Sequence, residues 1–311
     1  MDIIKVENIT KRFNDKLVLD NINFSIKEGE IFGLIGPNGA GKSTLINIIT
    51  NLMLANNGSI EINGLDLKNE PTKIKSIIGL VPQELAIIET LTPYDNLEYF
   101  GALYGLRGKV LKERINESLN ICGLSDVRLK KVKKLSSGMK RRLNIAIAVL
   151  HHPKILILDE PTVGIDPQSR NHIFRFLKDL SQNKNTTIIY TSHYMEEVEQ
   201  LCSKIFIIDE GKEIACGDNN YLKSLISTNT KLLIDVKNIS ANLIFELKNL
   251  DGVLSIIEDN LTLSLVINND FTISNALIVL ENNSSIISKI TYEYPSLEDV
   301  FLNLTGKNLR D

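Results

Sequence analysis

The chain has 311 residues, 43% of them hydrophobic and 23% charged, with a formal net charge of −3, the balance of a soluble globular protein with a substantial core. Its longest apolar stretches, such as Ile145–Leu150, are far too short to cross a bilayer, and the acidic excess argues against a nucleic-acid protein. Three widely spaced cysteines, Cys122, Cys202 and Cys216, show no metal spacing and point to a reducing compartment.

The opening Met1–Glu7 has no basic region followed by an apolar one, so no signal peptide is expected. Ile3–Val6, Leu17–Leu19 and Ile22–Ile26 are β-rich and punctuated by Asn and Asp, which predicts an antiparallel β start. Ile31–Ile35 is a short apolar run, the length of a buried strand, and a helix is expected from about Lys42 to Leu52. Gly58–Ile62 reads as a strand ending in the Asn63-Gly64 turn, and Ile77–Val81 as a strand that stops at Pro82-Gln83. Thr92-Pro93 with Asp95 has the form of a helix start, with helices expected at about 93–104 and 109–121. A further helix begins near Ser137, its apolar face carried by Met139, Leu143, Ala146, Ile147 and Leu150. Residues 84–150 thus form a helical insertion within an α/β domain.

Strands return at Ile155–Asp159, Thr187–Thr191 and Lys204–Ile208, separated by helical stretches at Arg170–Leu180 and Met195–Cys202. That alternation implies parallel strands with right-handed crossovers. After Leu225 the pattern resets across Ser227-Thr228-Asn229-Thr230. Strand 231–237, helix 240–250, strands 253–258 and 261–267, helix 273–282 and strand 285–293 follow, in the β-α-β-β-α-β order of a ferredoxin-like module, with a short helix at 296–304. The expected organisation is therefore an α/β domain at 1–225 and a small α+β accessory domain at 226–311. Residues 220–311 carry 7 basic and 11 acidic side chains, so the tail is no basic nucleic-acid arm.

Gly36-Pro37-Asn38-Gly39-Ala40-Gly41-Lys42-Ser43-Thr44 is a complete G-x-x-x-x-G-K-[ST] loop between strand and helix. Its glycines let the backbone turn sharply and aim N–H groups at phosphate oxygens, and the following helix turns its positive end to the same anion. Lys42 would reach the β- and γ-phosphates and Ser43 would hold Mg²⁺. Asp159 and Glu160 end a wholly apolar strand; in a sheet with such a loop Asp159 would bind Mg²⁺ and Glu160 would polarise the attacking water. Taken alone, Gln83 and His193 read either as satisfied polar residues at strand ends or as groups that contact metal, water and the γ-phosphate. Ser136-Ser137-Gly138 alone is a helix cap, or an anion site made by a hydroxyl and backbone N–H groups. The run Arg128–Arg142 holds eight basic residues and no acid, and reads as a solvated face, an anion-attracting rim or a nucleic-acid patch.

The ordered set of the phosphate loop, Leu135-Ser136-Ser137-Gly138-Met139, Ile155–Glu160 and His193 resembles the ATP-binding cassette (ABC) ATPases. The resemblance spans about residues 3–218. It implies that Gln83 occupies the glutamine position after the middle strand, that His193 is the switch histidine, that Phe13 replaces the commoner tyrosine stacked on adenine, and that Asp166 makes a dimer contact. The family's Leu-Ser-Gly-Gly-Gln is altered here, with Ser137 for glycine and Met139 for glutamine, changes that bear on rate and regulation rather than role. Pro295–Phe301, Leu304-Thr305-Gly306 and Leu158–Pro167 look like bacterial exporter ATPases of the daunorubicin-resistance type.

The resemblance implies a cytoplasmic subunit, peripheral on the inner face of the membrane, that hydrolyses ATP with Mg²⁺. It would form a homodimer when ATP is bound and drive membrane permease subunits from separate chains. Rival readings are an importer ATPase, a non-transport ABC protein of translation or DNA repair, and a metabolic P-loop kinase. Repair relatives usually carry coiled coils or zinc cysteines, translation relatives two cassettes, and a kinase needs neither Ser136-Ser137-Gly138 nor Asp166.

Overall fold

The computed structural model describes residues 1–226, 230–268 and 270–306. Within them the chain opens on β1 (Asp2–Phe13), β2 (Lys16–Lys27), β3 (Ile31–Ile35), α1 (Lys42–Ile49), β4 (Asn57–Ile62), β5 (Leu65–Asp66), α2 (Pro71–Ser76) and β6 (Ile78–Val81). Helices α3 (Pro93–Leu103), α4 (Gly108–Ile121) and α5 (Ser137–Val149) come next. Then follow β7 (Ile155–Leu158), α6 (Pro167–Lys184), β8 (Thr187–Thr191), α7 (Met195–Leu201), β9 (Lys204–Asp209), β10 (Lys212–Gly217) and α8 (Asn219–Ser224).

Two sheets build this part. β2-β1-β4-β5 is antiparallel throughout, and β10-β9-β3-β8-β7-β6 is parallel except for β10 at its edge. The central strands β3, β7 and β8 are buried at every position, as strands covered on both faces must be, which is why they read as unbroken apolar runs rather than alternating ones. Their core includes Leu34, Leu45, Ile49, Ile157 and Ile208.

Several boundaries depart from the sequence reading for local reasons. Leu17–Leu19 and Ile22–Ile26 lie on one strand, because Asn21 takes φ 54° where the pairing with β1 shifts register, and a bulge absorbs the residue that looked like a break. Helix α1 ends at Ile49, not Leu52, followed by Asn51 at φ 53°. Helix α6 starts at Pro167, not Arg170, because the Asp166 side chain accepts from the Ser169 N–H and proline fits the first turn. The start at Thr92 is a full capping box with Asp95. Helices α2 and α8 and strands β5 and β10 were not foreseen.

Contacts divide the chain into two compact units, Met1–Asn219 with the chain from Leu304, and Asn220–Asn303. The second holds β11 (Thr230–Val236), α9 (Ala241–Lys248), β12 (Val253–Asp259), β13 (Thr262–Ile267), α10 (Ile273–Asn282), β14 (Ile287–Glu293) and most of α11 (Leu297–Thr305). Its antiparallel sheet runs β12-β13-β11-β14, and β11-α9-β12-β13-α10-β14 follows the split β-α-β order. Leu232, Ile234, Leu263 and Leu265 alternate inward and meet Leu243, Leu247, Ala276 and Leu280 of the helices. The pattern reset expected at Ser227-Thr228-Asn229 lies outside the described residues.

Candidate functional site

The register of the parallel sheet decides which side chains meet. Leu34 pairs with Thr191, Leu158 with Tyr190 and Val81 with Leu158, so the strand ends that lead into the phosphate loop, Gln83, Asp159-Glu160 and His193 lie side by side. The carboxyl ends of such strands are where ligands of open α/β sheets bind.

At the first of these ends the chain leaves β3 through Gly36, where a Cβ would lie 2.1 Å from the Ile208 carbonyl oxygen, so only glycine fits. It enters α1 through Gly41 at φ 111°, a left-handed conformation that other residues rarely adopt. Lys42 is buried and donates to the carbonyl oxygens of Gly36 (2.7 Å) and Pro37 (3.1 Å). Burial lowers its pKa, partly countered by the carboxylates of Glu160 and Asp159. A cation desolvated this way favours an anionic partner.

The carboxylates are held in place by hydroxyls. Ser43 Oγ lies 3.3 Å from Asp159 Oδ2, and Thr191 Oγ1 donates to Asp159 Oδ1 at 2.7 Å while accepting from the Glu160 N–H at 2.9 Å. Glu160 has φ 46°, an uncommon conformation for a non-glycine residue. Its two oxygens meet different partners: the Gln83 amide donates to Oε2 at 3.0 Å, and His193 Nδ1 stands 3.5 Å from Oε1. Ser43, Asp159 and Gln83 present hard oxygen donors beside a phosphate site, a set that fits Mg²⁺. Among the described residues there is no cluster of three or more His, Cys, Asp or Glu able to hold a metal.

A cavity of about 870 Å³ opens here, lined by Phe13, Pro37, Asn38, Gly39, Gly41, Lys42, Ser43, Thr44, Gln83 and Glu160. That volume is within the range of small-molecule sites. Phe13 is 43% exposed, with Lys11 Nζ 5.1 Å from its ring centroid. Gly36, Ala40 and Asp159 lie outside the lining, buried behind it, and His193 joins it through Glu160. The sequence reading missed Lys16, Leu17, Val18, Glu210 and Lys212 on the cavity wall; nothing in their spacing marks them, because β1–β2 and β9–β10 bring them together only in the fold.

Ser136, Ser137, Gly138 and Asp166 do not line this cavity. They cluster with one another. Ser136 caps α5, accepting from the Met139 N–H, Ser137 Oγ lies 3.5 Å from the Gly164 carbonyl oxygen, and a Cβ at Gly138 would approach Ser169 Oγ to 2.5 Å. The basic run divides. Arg128, Lys130, Lys131, Lys133 and Lys134 are exposed, Lys140 pairs with Glu89, and Arg142 reaches the Cys122 and Gly123 carbonyls. Arg141 was not singled out by the sequence; it is 6% exposed and donates to the carbonyl oxygens of Pro82 (2.9 Å) and Gln83 (2.7 Å), tying the helix after Ser136 to the backbone of Gln83.

A family model described as ABC transporter matches residues 19–163, and one described as AAA domain, putative AbiEii toxin, Type IV TA system, matches residues 131–199. The linearmycin resistance ATP-binding protein LnrL of Bacillus subtilis (strain 168) is 42% identical over 99% of this chain and 100% of its own length. The daunorubicin resistance ATP-binding protein DrrA2 of Streptomyces coeruleorubidus is 33% identical over 97% of this chain and 95% of its own. Among solved structures, the dimeric post-hydrolysis state of the ATP-binding cassette MJ0796 bound to ADP and Pi superposes with a TM-score of 0.63 and 29% identity, covering 69% of this chain and 98% of that one. With the phosphate loop, the paired carboxylates and full-length likeness in agreement, the chain belongs to the ATP-binding, ATP-hydrolysing subunits of ABC transporters.

Proposed function

We propose that this chain powers a bacterial exporter of drugs or antibiotics whose membrane channel is formed by separate chains, and that it works at the inner face of the cell membrane by binding to them. Support comes from the relatives of matching length, which are named for linearmycin and daunorubicin resistance. Among the described residues no helix is long and apolar enough to cross a membrane.

The observation that carries the chemistry is the meeting of Gln83, Glu160 and His193 beside Lys42 and the Ser43–Asp159 pair. The phosphate loop N–H groups and Lys42 bind the β- and γ-phosphates of ATP, and Phe13 stacks on the base. Ser43, Asp159 and Gln83 would hold Mg²⁺, which would offset charge on the phosphate oxygens. Glu160 orients the attacking water and takes its proton, and His193, beside that carboxylate, faces the γ-phosphate. Ser136–Gly138 and Asp166 do not line the cavity of their own chain, and in this reading they complete the site of a second copy: two chains close on two ATP molecules, and hydrolysis reopens them.

The test is co-expression with a neighbouring gene that encodes about six apolar spans of ~20 residues. Drug resistance is expected with the wild-type chain and is lost with Glu160→Gln. Equal resistance from both would overturn the reading.

A further inference from the structure

Glu197, on the first turn of α7, is 2% exposed, and a carboxylate that far from water must be held by several donors. Its Oε2 accepts three hydroxyl hydrogen bonds, from Thr162 Oγ1 at 2.7 Å, Tyr190 OH at 2.8 Å and Ser192 Oγ at 2.9 Å. All three hydroxyl residues are buried. Its Oε1 accepts no hydrogen bond and lies 3.5 Å from the guanidinium of Arg170, which is far less buried.

These partners come from the two segments that flank the hydrolytic pair. Thr162 lies two residues after Glu160, and Arg170 sits one turn into α6, its N–H bonded to the Asp166 carbonyl oxygen. Tyr190 and Ser192 lead into His193, and Ser192 Oγ also accepts from the Tyr194 N–H at 3.0 Å, so the backbone on both sides of His193 is tied through one hydroxyl. Glu160 and His193 touch each other only across 3.5 Å, too long for a good hydrogen bond. The β7–β8 pairing and the Glu160 N–H to Thr191 bond set the register of the strands; beyond the strand ends, the buried carboxylate ties the segment after Glu160 to the segment around His193.

We propose that Glu197 is a positioning residue for hydrolysis: it clamps the segment after Glu160 to the segment around His193, and through Arg170 links both to the Asp166 turn. The inference rests on the roles given above to Glu160 and His193. Glu197 touches neither ATP nor water. Its loss loosens the geometry of the water-orienting pair while the phosphate loop, which is built on β3 and α1, stays intact.

The experiment compares purified full-length wild type, Glu197→Ala, Glu197→Gln and Glu160→Gln, reading ATP affinity by calorimetry, kcat, KM and the thermal midpoint. Glu197→Ala should lower kcat about ten- to hundredfold, the scale of a small misplacement of catalytic groups, with ATP affinity unchanged. Glu197→Gln should recover part of that loss, because its amide oxygen still accepts from the hydroxyls, and adding Arg170→Ala to it should cost little more. Wild-type kcat in Glu197→Ala overturns the proposal, as does a loss of ATP affinity that matches the loss of kcat. If Glu197→Ala does not fold, Ser192→Ala and Thr162→Val each remove one tie and keep the carboxylate; kcat should fall with affinity unchanged, and wild-type kcat in both overturns the proposal. Glu160→Gln separates the two readings. An active Glu160→Gln removes the role given to Glu160, whereas an inactive one beside a fully active Glu197→Ala removes only the clamp.

Discussion

Gln83 donates from its side-chain amide to Glu160 Oε2 across 3.0 Å, joining the loop after β6 to the end of β7. The backbone of Gln83 is fixed in turn by Arg141 from the helix that follows Ser136. Three motifs far apart in sequence thus form one hydrogen-bonded chain, so a displacement of α5 bears directly on the carboxylate.

Lys42→Ala should weaken ATP binding. Losing one charge-assisted phosphate contact costs about 1.5–3 kcal/mol, roughly ten- to hundredfold in affinity. Calorimetry checks this, and unchanged affinity would mean that the loop is not the site.

Ser136→Arg places a bulky charge on the surface proposed to meet the second copy's γ-phosphate. The purified homodimer should lose ATPase activity, while a heterodimer with Lys42→Ala chains should keep at most one competent site. Full activity of the Ser136→Arg homodimer would contradict a site shared between chains.

Glu117 gives a pH dependence. Burial raises its pKa, but hydrogen bonds from Lys184 and His152 outweigh that and leave it below the usual carboxylate value. A carboxylate with a folded pKa below its unfolded one stabilises fully above the ordinary carboxylate range and loses that contribution as pH falls through the folded value. Glu117→Gln should therefore lower the thermal midpoint near neutrality and converge on wild type in acid. Midpoints measured from about pH 7 to about pH 3 test this, and parallel curves would contradict it.

A chain ending at Leu225 keeps every residue from Phe13 to His193 and should still bind ATP, while dimerisation or coupling to the membrane subunits weakens. Nucleotide binding by that truncated chain is the measurement. Loss of binding in a truncated chain shown to be folded would place the functional boundary elsewhere.

Much of this was legible in the sequence because the relevant signals are local. The loop Gly36–Thr44, the apolar run before Asp159 and the Thr92-Pro93-Asp95 start each carry their physics within a few residues, and the structure forms a strand–loop–helix, a buried strand and a capping box there. A bulge was harder to read, since Asn21 looked like a break between strands; the start of α6 was placed at Arg170 although Asp166-Pro167 carries a local start signal like that at Thr92-Pro93. Groups that act through long-range contacts left no local mark. Arg141 was one of eight cations in a run read as a solvated face, an anion-attracting rim or a nucleic-acid patch, yet it is buried against Gln83. Nothing in the sequence singles out Glu197, whose three hydroxyl partners lie 5 to 35 positions away.

The central claim is that Glu160 activates water at an ATP site completed by a second chain. Glu160→Gln tests it most directly, since the amide keeps the shape of the carboxylate but cannot take the proton. The account predicts near-normal ATP binding, no turnover, and accumulation of an ATP-bound dimer by size exclusion. Near-normal ATPase activity in the purified variant would contradict it.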